Sequence, residues 1–369
     1  MTSSSRGSIR RRYSTLDAAS TTWVAIGGLL VAFALAPVLL SHDVYSYVDY
    51  ARLGILHGLD PYVHPPAAEP FDPAYARVTW IDATSAYGPL FTLATYPLAW
   101  LPAWWAVAAL KATAALSVLA IALLAARVAP SRGVSPVGAA AFVALNPLVL
   151  IHVVGGAHND GLAMLAGTAG VAATLSTAEA SAGAAFLAAF ALKPPAAVAA
   201  PFALLDATRI RHSPPRSGVK VGCADRRASR MLAGAALTAI GLGVAAYAAF
   251  DWHWLDAIGL AGENQHRTAH MSVPITLARL TGLDPTAVRI AALALFAAAF
   301  LYLLLRTWRG ADWLRCAAWA SFALLLATAW LLPWYLVWAL PLVALSRDRP
   351  LQLLTLALTA YQLPARMPL

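Results

Sequence analysis

An all-α, polytopic helical membrane protein is the fold class that this sequence predicts, and three observations predict it. Of its 369 residues 60% are hydrophobic and 12% charged, with a mean hydropathy of +0.66, more apolar surface than one water-soluble core can bury. The apolar residues fall in runs of helix length separated by polar stretches. The 26 Lys and Arg residues, which exceed the 17 acids and leave a net charge of +9, cluster in the loops between those runs. That is the pattern of membrane orientation, so membrane lipid is expected as a partner and nucleic acid is not. Cys223 in a basic loop and Cys316 in an apolar run have no evident partner, which argues against a disulfide framework.

In chain order, residues 1–20 form a basic tail with Arg6, Arg10, Arg11 and Arg12, expected to stay cytoplasmic, and residues 21–369 form one transmembrane domain. The first span is 23–40. Ala34-Leu35-Ala36 resembles a signal-peptidase site, but Pro37 directly after it argues for an uncleaved helix. The chain then emerges as a first outer loop, 41–87, carrying interfacial helices. Residues 43–57 have helical spacing, with Val44, Tyr47, Val48, Ala51 and Ile55 on an apolar stripe and Asp43, Ser46, Asp49 and Arg52 opposite. Too short to span, this helix is expected along the interface. Gly58 and Asp60-Pro61 end it, and a second short helix is expected over 73–80.

Further spans are expected at 90–101, 104–128, 136–153, 162–175 and 182–205, the last interrupted by Lys193-Pro194-Pro195. One crossing each puts loop 206–230, with its seven Lys and Arg residues, in the cytoplasm. Span 231–250, a second outer loop at 251–285, and spans at 288–305, 313–332, 335–345 and 351–363 bring the total to about eleven crossings of the plasma membrane. Runs 90–101 and 335–345 are short enough to be tilted or re-entrant.

Candidate chemistry starts in the first outer loop. Residues 41–89 hold six acids (Asp43, Asp49, Asp60, Glu69, Asp72, Asp82) against Arg52 and Arg77, a local reversal of sign in a basic chain. Asp43, at the start of the interfacial helix, is either a partly desolvated general base or a helix cap. Asp49 is either a second functional carboxylate or the partner of Arg52. A second constellation is Asn146-Pro147-Leu148 followed by Gly155-Gly156-Ala157-His158-Asn159-Asp160. Its glycines allow close backbone approach, and its last three residues are either functional groups or the cap of the next helix. One crossing per run puts this motif on the inner face, away from Asp43, unless one earlier run is a hairpin. Lys193, deep in an apolar run, either has a phosphate or carboxylate partner or snorkels to the interface. The 263–270 loop, with His266, Arg267 and His270, suits sugar hydroxyls and a phosphate. Trp334 and Tyr335 fit a sugar platform or an aromatic belt.

These blocks carry a resemblance. Asp43-Val44-Tyr45, Gly58-Leu59-Asp60-Pro61-Tyr62, Tyr87-Gly88-Pro89-Leu90, the Asn146 and His158 motifs, Lys193-Pro194-Pro195 and Pro333-Trp334-Tyr335 occur in that order. The chain thereby resembles the actinobacterial polyprenol-phosphate-mannose-dependent alpha-1,6-mannosyltransferases of the GT-C superfamily of membrane glycosyltransferases. The resemblance implies a GT-C fold with an extracytoplasmic active site. It implies transfer of a sugar, mannose, from a polyprenyl-phosphate carrier to a lipid-anchored glycan with inversion, and it maps the superfamily's loop acid onto Asp43 as base. The substrate-binding candidates are Tyr47, Asp49, Tyr87, His158, Asn159, Asp160, Lys193, His266, Arg267, His270, Trp334 and Tyr335. No cofactor is required, because a phosphate monoester is already a fair leaving group, and a divalent metal is compatible. A polyprenyl-linked lipid flippase or transporter is the rival class, since a mid-membrane Lys193 and broken helices also suit alternating access.

Overall fold

The computed structural model describes residues 3–209, 223–257, 259–260 and 267–365. Its helices are α1 (Ser3–Leu35), α2 (Asp43–Leu56), α3 (Pro89–Thr95), α4 (Ala103–Val128), α5 (Pro136–Ala144), α6 (Asp160–Leu175), α7 (Glu179–Leu192), α8 (Ala200–Thr208), α9 (Cys223–Phe250), α10 (Val273–Thr281), α11 (Pro285–Trp308), α12 (Trp313–Ala327), α13 (Leu340–Leu345) and α14 (Arg349–Gln362). Four stretches, Ala18–Leu35, Ala103–Arg132, Arg226–Phe250 and Pro285–Trp308, are long and apolar enough to cross a membrane. On α11, Ile290, Leu295 and Leu301 point outward at 63%, 71% and 65% exposure, as lipid-facing side chains do. The all-helical class expected from the sequence is therefore borne out, and four of the helices have the length and apolar character expected of membrane spans.

The inner helices are shorter, because proline and glycine interrupt them. Pro147 ends α5, and the chain continues as a π-helical turn, Val149–Val154. Lys193-Pro194-Pro195 ends α7, and Pro333 opens a 3-10 turn, Pro333–Trp338, before α13. Such breaks persist at membrane depth only where neighbouring helices enclose them. They are enclosed here: Ala196, Leu336, Val337 and Trp338 are buried.

Two expected spans run differently. Residues 90–101 do not cross: Gly88 packs against the Ala191 carbonyl, and Arg52 of α2 donates to the Ala99 carbonyl at 3.0 Å. Lys111, two turns into α4, donates to the carbonyls of Ala36 and Pro37 just beyond α1. Helix α4 thus starts at the end of the bundle where α1 stops. The expected span 182–205 is a hairpin whose apex is Lys193. Glu179, at the start of α7, pairs with Arg227 at 2.7 Å, and Arg209, just past α8, lies beside Gly310. Both therefore lie at the end opposite Lys193, where Arg132 pairs with Asp312 and Arg315 with Asp348.

Helix α2 also departs from expectation. Its polar face is buried rather than solvated, with Asp43, Ser46 and Asp49 enclosed, because the 59–101 segment folds over it. The short helix expected at 73–80 is reduced to a 3-10 turn, Tyr75–Arg77.

Helices α7 and α9 approach through glycine. A Cβ on Gly183 would overlap the Met231 carbonyl oxygen, and one on Gly234 that of Ala180. Gly183→Ala should cost about 1–3 kcal/mol by overpacking, read as a lower thermal midpoint in detergent. Gly241→Ala, where a Cβ meets nothing within 4 Å, should leave the midpoint unchanged or raise it.

Candidate active site

The connection after α1 sets the site. Leu39 N–H donates to the Gly155 carbonyl at 3.1 Å, so the segment leading into α2 lies against the second glycine-bearing motif. Gly155 and Gly156 permit this approach, since a Cβ on Gly155 would meet Leu39 and one on Gly156 the His158 ring. The π-helical turn and a left-handed Ala157 (φ +57°) then turn His158, Asn159 and Asp160 inward. Asp43 Oδ2 consequently lies 3.7 Å from His158 Nδ1. Of the two arrangements the sequence left open, this is the one in which an earlier apolar run does not cross, and the 90–101 segment is that run.

Asp43 is not the cap of α2. His42 holds the N-cap position, with no side-chain cap bond, and Asp43 is the first helical residue. Its carboxylate, 8% exposed, accepts a hydrogen bond from Trp80 Nε1 at 3.1 Å on Oδ1, while its backbone N–H donates to Ser41 Oγ. Burial pushes the Asp43 pKa above the usual carboxylate range. The Trp80 hydrogen bond and the Lys193 charge pull it back, and the Asp160 charge adds to the rise.

Behind Asp43 stands a wall of rings. His158 stacks on Trp334 with centroids 3.7 Å apart and planes 15° from parallel. Tyr335 stacks on Trp338 at 4.0 Å, edge-on to Trp334. Tyr47 meets Tyr87 and Phe91 edge-to-face at 4.8 and 4.9 Å. Helix α6 begins at Asp160, whose carboxylate is fully buried and accepts Lys193 Nζ at 2.7 Å on Oδ2 and Trp338 Nε1 at 2.7 Å on Oδ1. The helix start favours that negative charge. The carboxylate partner expected for Lys193 is thus Asp160. Lys193 Nζ also lies 5.1 Å from the Tyr335 ring centroid. His158 Nε2 and both amide atoms of Asn159 are buried without a hydrogen-bond partner in the described protein.

Arg267 reaches the rim from the segment before α10, which the Ala269 N–H to Ala329 carbonyl bond ties down at 2.8 Å. Its guanidinium lies 4.8 Å from the Trp80 ring and 5.9 Å from that of Trp330, and no carboxylate pairs with it among the described residues. Asp43, Tyr47, Tyr87, His158, Asn159, Asp160, Lys193, Arg267, Trp334 and Tyr335 therefore form one neighbourhood.

Two candidates fall elsewhere, and a third, His266, lies outside the described residues. His270 is exposed and held by Arg279. Asp49 lies in a separate cluster of the outer loop. Arg52, its expected partner, turns instead to Asp72 at 2.8 Å, which also takes His57 at 2.9 Å. Burial and the Asp72 charge raise the Asp49 pKa to about 7, against smaller opposing effects of His57 and Arg52. Trp80 and Trp338, which bond the Asp43 and Asp160 carboxylates, were not among the candidate site residues. Nothing in their local sequence distinguishes them from interfacial tryptophans, since both act through carboxylates that are remote in sequence.

Residues 6–209, more than half of the chain, match the family model of the alpha-(1->6)-mannopyranosyltransferase N-terminal domain. Alpha-(1->6)-mannopyranosyltransferase A of Mycobacterium tuberculosis is 33% identical over 196 residues, covering 50% of this chain and 37% of that protein. A probable alpha-(1->6)-mannopyranosyltransferase of Mycolicibacterium smegmatis is 31% identical over 172 residues, covering 44% and 30%. Alpha-(1->6)-mannopyranosyltransferase A of Corynebacterium glutamicum is 29% identical over 195 residues, covering 51% and 39%. The matched part thus spans about a third of the length of these relatives. No solved structure matches the chain. With the family model matched across its first outer loop, the His158 motif and Lys193, the chain belongs to the alpha-(1->6)-mannopyranosyltransferase family.

Proposed function

We propose that the protein is a membrane mannosyltransferase of the GT-C type, which moves mannose from a polyprenyl-phosphate carrier to a lipid-anchored glycan at the extracytoplasmic face of the plasma membrane. The observation that carries this reading is the buried Asp43 carboxylate. It is oriented by Trp80, faces His158 at 3.7 Å, and has two cations, Lys193 and Arg267, in the same neighbourhood. Family membership supports the sugar and the bond type.

Asp43 acts as general base. It takes the proton of an acceptor hydroxyl while that oxygen forms a bond to the anomeric carbon. The bond from that carbon to the phosphate oxygen breaks on the opposite side, and its electron pair leaves with the prenyl phosphate. Displacement from the opposite side inverts the anomeric centre. The departing phosphate gains negative charge, which Arg267 and Lys193 offset. The two differ in strength: Lys193 is already partly neutralised by Asp160, whereas Arg267 rests on aromatic faces with its hydrogen-bonding fork unpaired by any described carboxylate. Trp334 and Tyr335 offer apolar ring faces to a sugar, and Asn159 offers an otherwise unsatisfied amide. No metal is required by this scheme, since side chains supply the positive charge.

The arginine-rich end of the bundle, with Arg132, Arg209, Arg227 and Arg315, lies opposite the candidate site. The positive-inside rule makes that end cytoplasmic and the site extracytoplasmic.

Two outcomes check this reading. With labelled polyprenyl-phosphate mannose and a short mannan acceptor, Asp43→Asn should lower kcat by at least about 100-fold with the fold retained. A variant as fast as the native protein would remove Asp43 from the chemistry. Label that crosses a sealed vesicle without forming a glycosidic bond would favour a flippase instead. The second outcome concerns pH. Asp43 must be ionised to act, so activity falls as pH drops through its raised pKa. Trp80→Phe removes a hydrogen bond that favours the ionised form, raises the pKa further and should move the acidic limb of kcat/KM to higher pH.

A further inference from the structure

We infer that the end of the bundle opposite the candidate site carries a binding site for an anionic phospholipid. The site is a cavity of about 420 Å³ between the turn that leads into α5 and the turn between α13 and α14. Its volume lies within the range of sites that hold a small organic ligand. It plays no part in the proposed transfer reaction, and the inference does not rest on that reading.

The lining is divided by chemistry. Ser135, Arg347, Arg349 and Gln352 supply its polar groups, and Val134, Ala139, Phe142 and Ala344 its apolar ones. The polar groups sit at the helix ends. Phe142 lies six residues along α5 from Pro136, about 9 Å deeper at the rise of an α-helix. A charged mouth leading to an apolar wall over that distance matches a phosphodiester headgroup followed by the start of an acyl chain. A free phosphate ion would leave the wall unused.

The charges are available. Both arginines are exposed, and neither has a carboxylate partner among the described residues. The nearby acids are already engaged: Asp348 accepts from Arg315 at 2.7 Å, from Trp319 at 2.9 Å and from the Leu351 N–H, and Asp312 pairs with Arg132. Arg347 holds a left-handed backbone (φ +59°), which a non-glycine residue disfavours, and its guanidinium carbon lies 3.6 Å from where a Cβ on Gly133 would sit. That proximity places the Arg347 side chain across the turn at the mouth. Two guanidinium forks at one mouth suit the oxygens of a phosphodiester, and basic pockets between membrane helices are a recurrent setting for anionic headgroups.

The test reconstitutes the full chain with equal amounts of phosphatidylcholine and phosphatidylglycerol and counts retained lipids by native mass spectrometry. Phosphatidylglycerol should be retained preferentially, and the Arg347→Gln/Arg349→Gln double variant should retain at least about tenfold less of it. Arg347→Gly provides a second variant, because glycine accepts the left-handed backbone. It should lose lipid without lowering the thermal midpoint. In a parallel arm, phosphatidylglycerol should raise the midpoint and inorganic phosphate at the same concentration should not. Equal retention of the two lipids, or undiminished phosphatidylglycerol in both variants, would overturn the site. Stabilisation by inorganic phosphate equal to that by lipid would overturn the lipid assignment and leave a phosphate-ion site.

Discussion

The ion pair between Asp160 and Lys193 is the constraint on which the rest of the arrangement depends. A carboxylate with no solvent exposure is tolerated only when its oxygens are satisfied. Asp160 meets that condition with the Lys193 ammonium on one oxygen and the Trp338 indole on the other. Each partner comes from a different break in the helical ladder: Asp160 from the start of α6, Lys193 from the proline apex after α7, Trp338 from the 3-10 turn before α13. Removing Lys193 strands the buried Asp160 charge at a cost of about 3–5 kcal/mol. The pair therefore fixes where three broken segments meet, and the same breaks supply the rings beside Asp43.

That meeting point explains how two neighbouring buried carboxylates come to differ, the difference on which the role proposed for Asp43 rests. Asp160 and Asp43 both lie in a low-dielectric environment, but Asp160 has a cation in contact. Among the described residues Asp43 has no cation in such contact, but the Trp80 indole N–H, the Ser41 side chain and an imidazole 3.7 Å away. The first is held in an ion pair; the second has its pKa raised by burial. Aromatic packing stabilises this difference, since His158 on Trp334 and Tyr335 on Trp338 keep water from the rear of both groups.

The two misjudged spans cancel. Segment 90–101 was counted as a crossing and stays at one end, while 182–205 was counted as one crossing and turns back at Lys193. Each error reverses the sign of every later loop, so together they restore it. The basic loop at 206–230 therefore satisfied the positive-inside rule despite both mistakes. Between the two errors the sign was wrong, and the His158 motif fell in that interval. Charge bias in loops constrains the parity of crossings, not which runs make them.

Composition and periodicity alone determined the all-helical class, the interruption at Lys193-Pro194-Pro195 and the residue types of the candidate site, because burial in lipid demands long apolar runs and charges there need partners; the break at Pro147 inside the expected 136–153 span was not read. Lys193 was legible as a charge that needs a partner, and Asp43 and the His158 motif as candidates, each with a helix-cap alternative. Tertiary structure alone decided that they face each other, that Asp72 rather than Asp49 takes Arg52, and that Trp80 and Trp338 hold the two carboxylates. These contacts join residues up to 178 positions apart. Their formation depends on which short run turns back, and local sequence leaves that open because a twelve-residue apolar segment satisfies its backbone equally well along the interface or enclosed within the bundle.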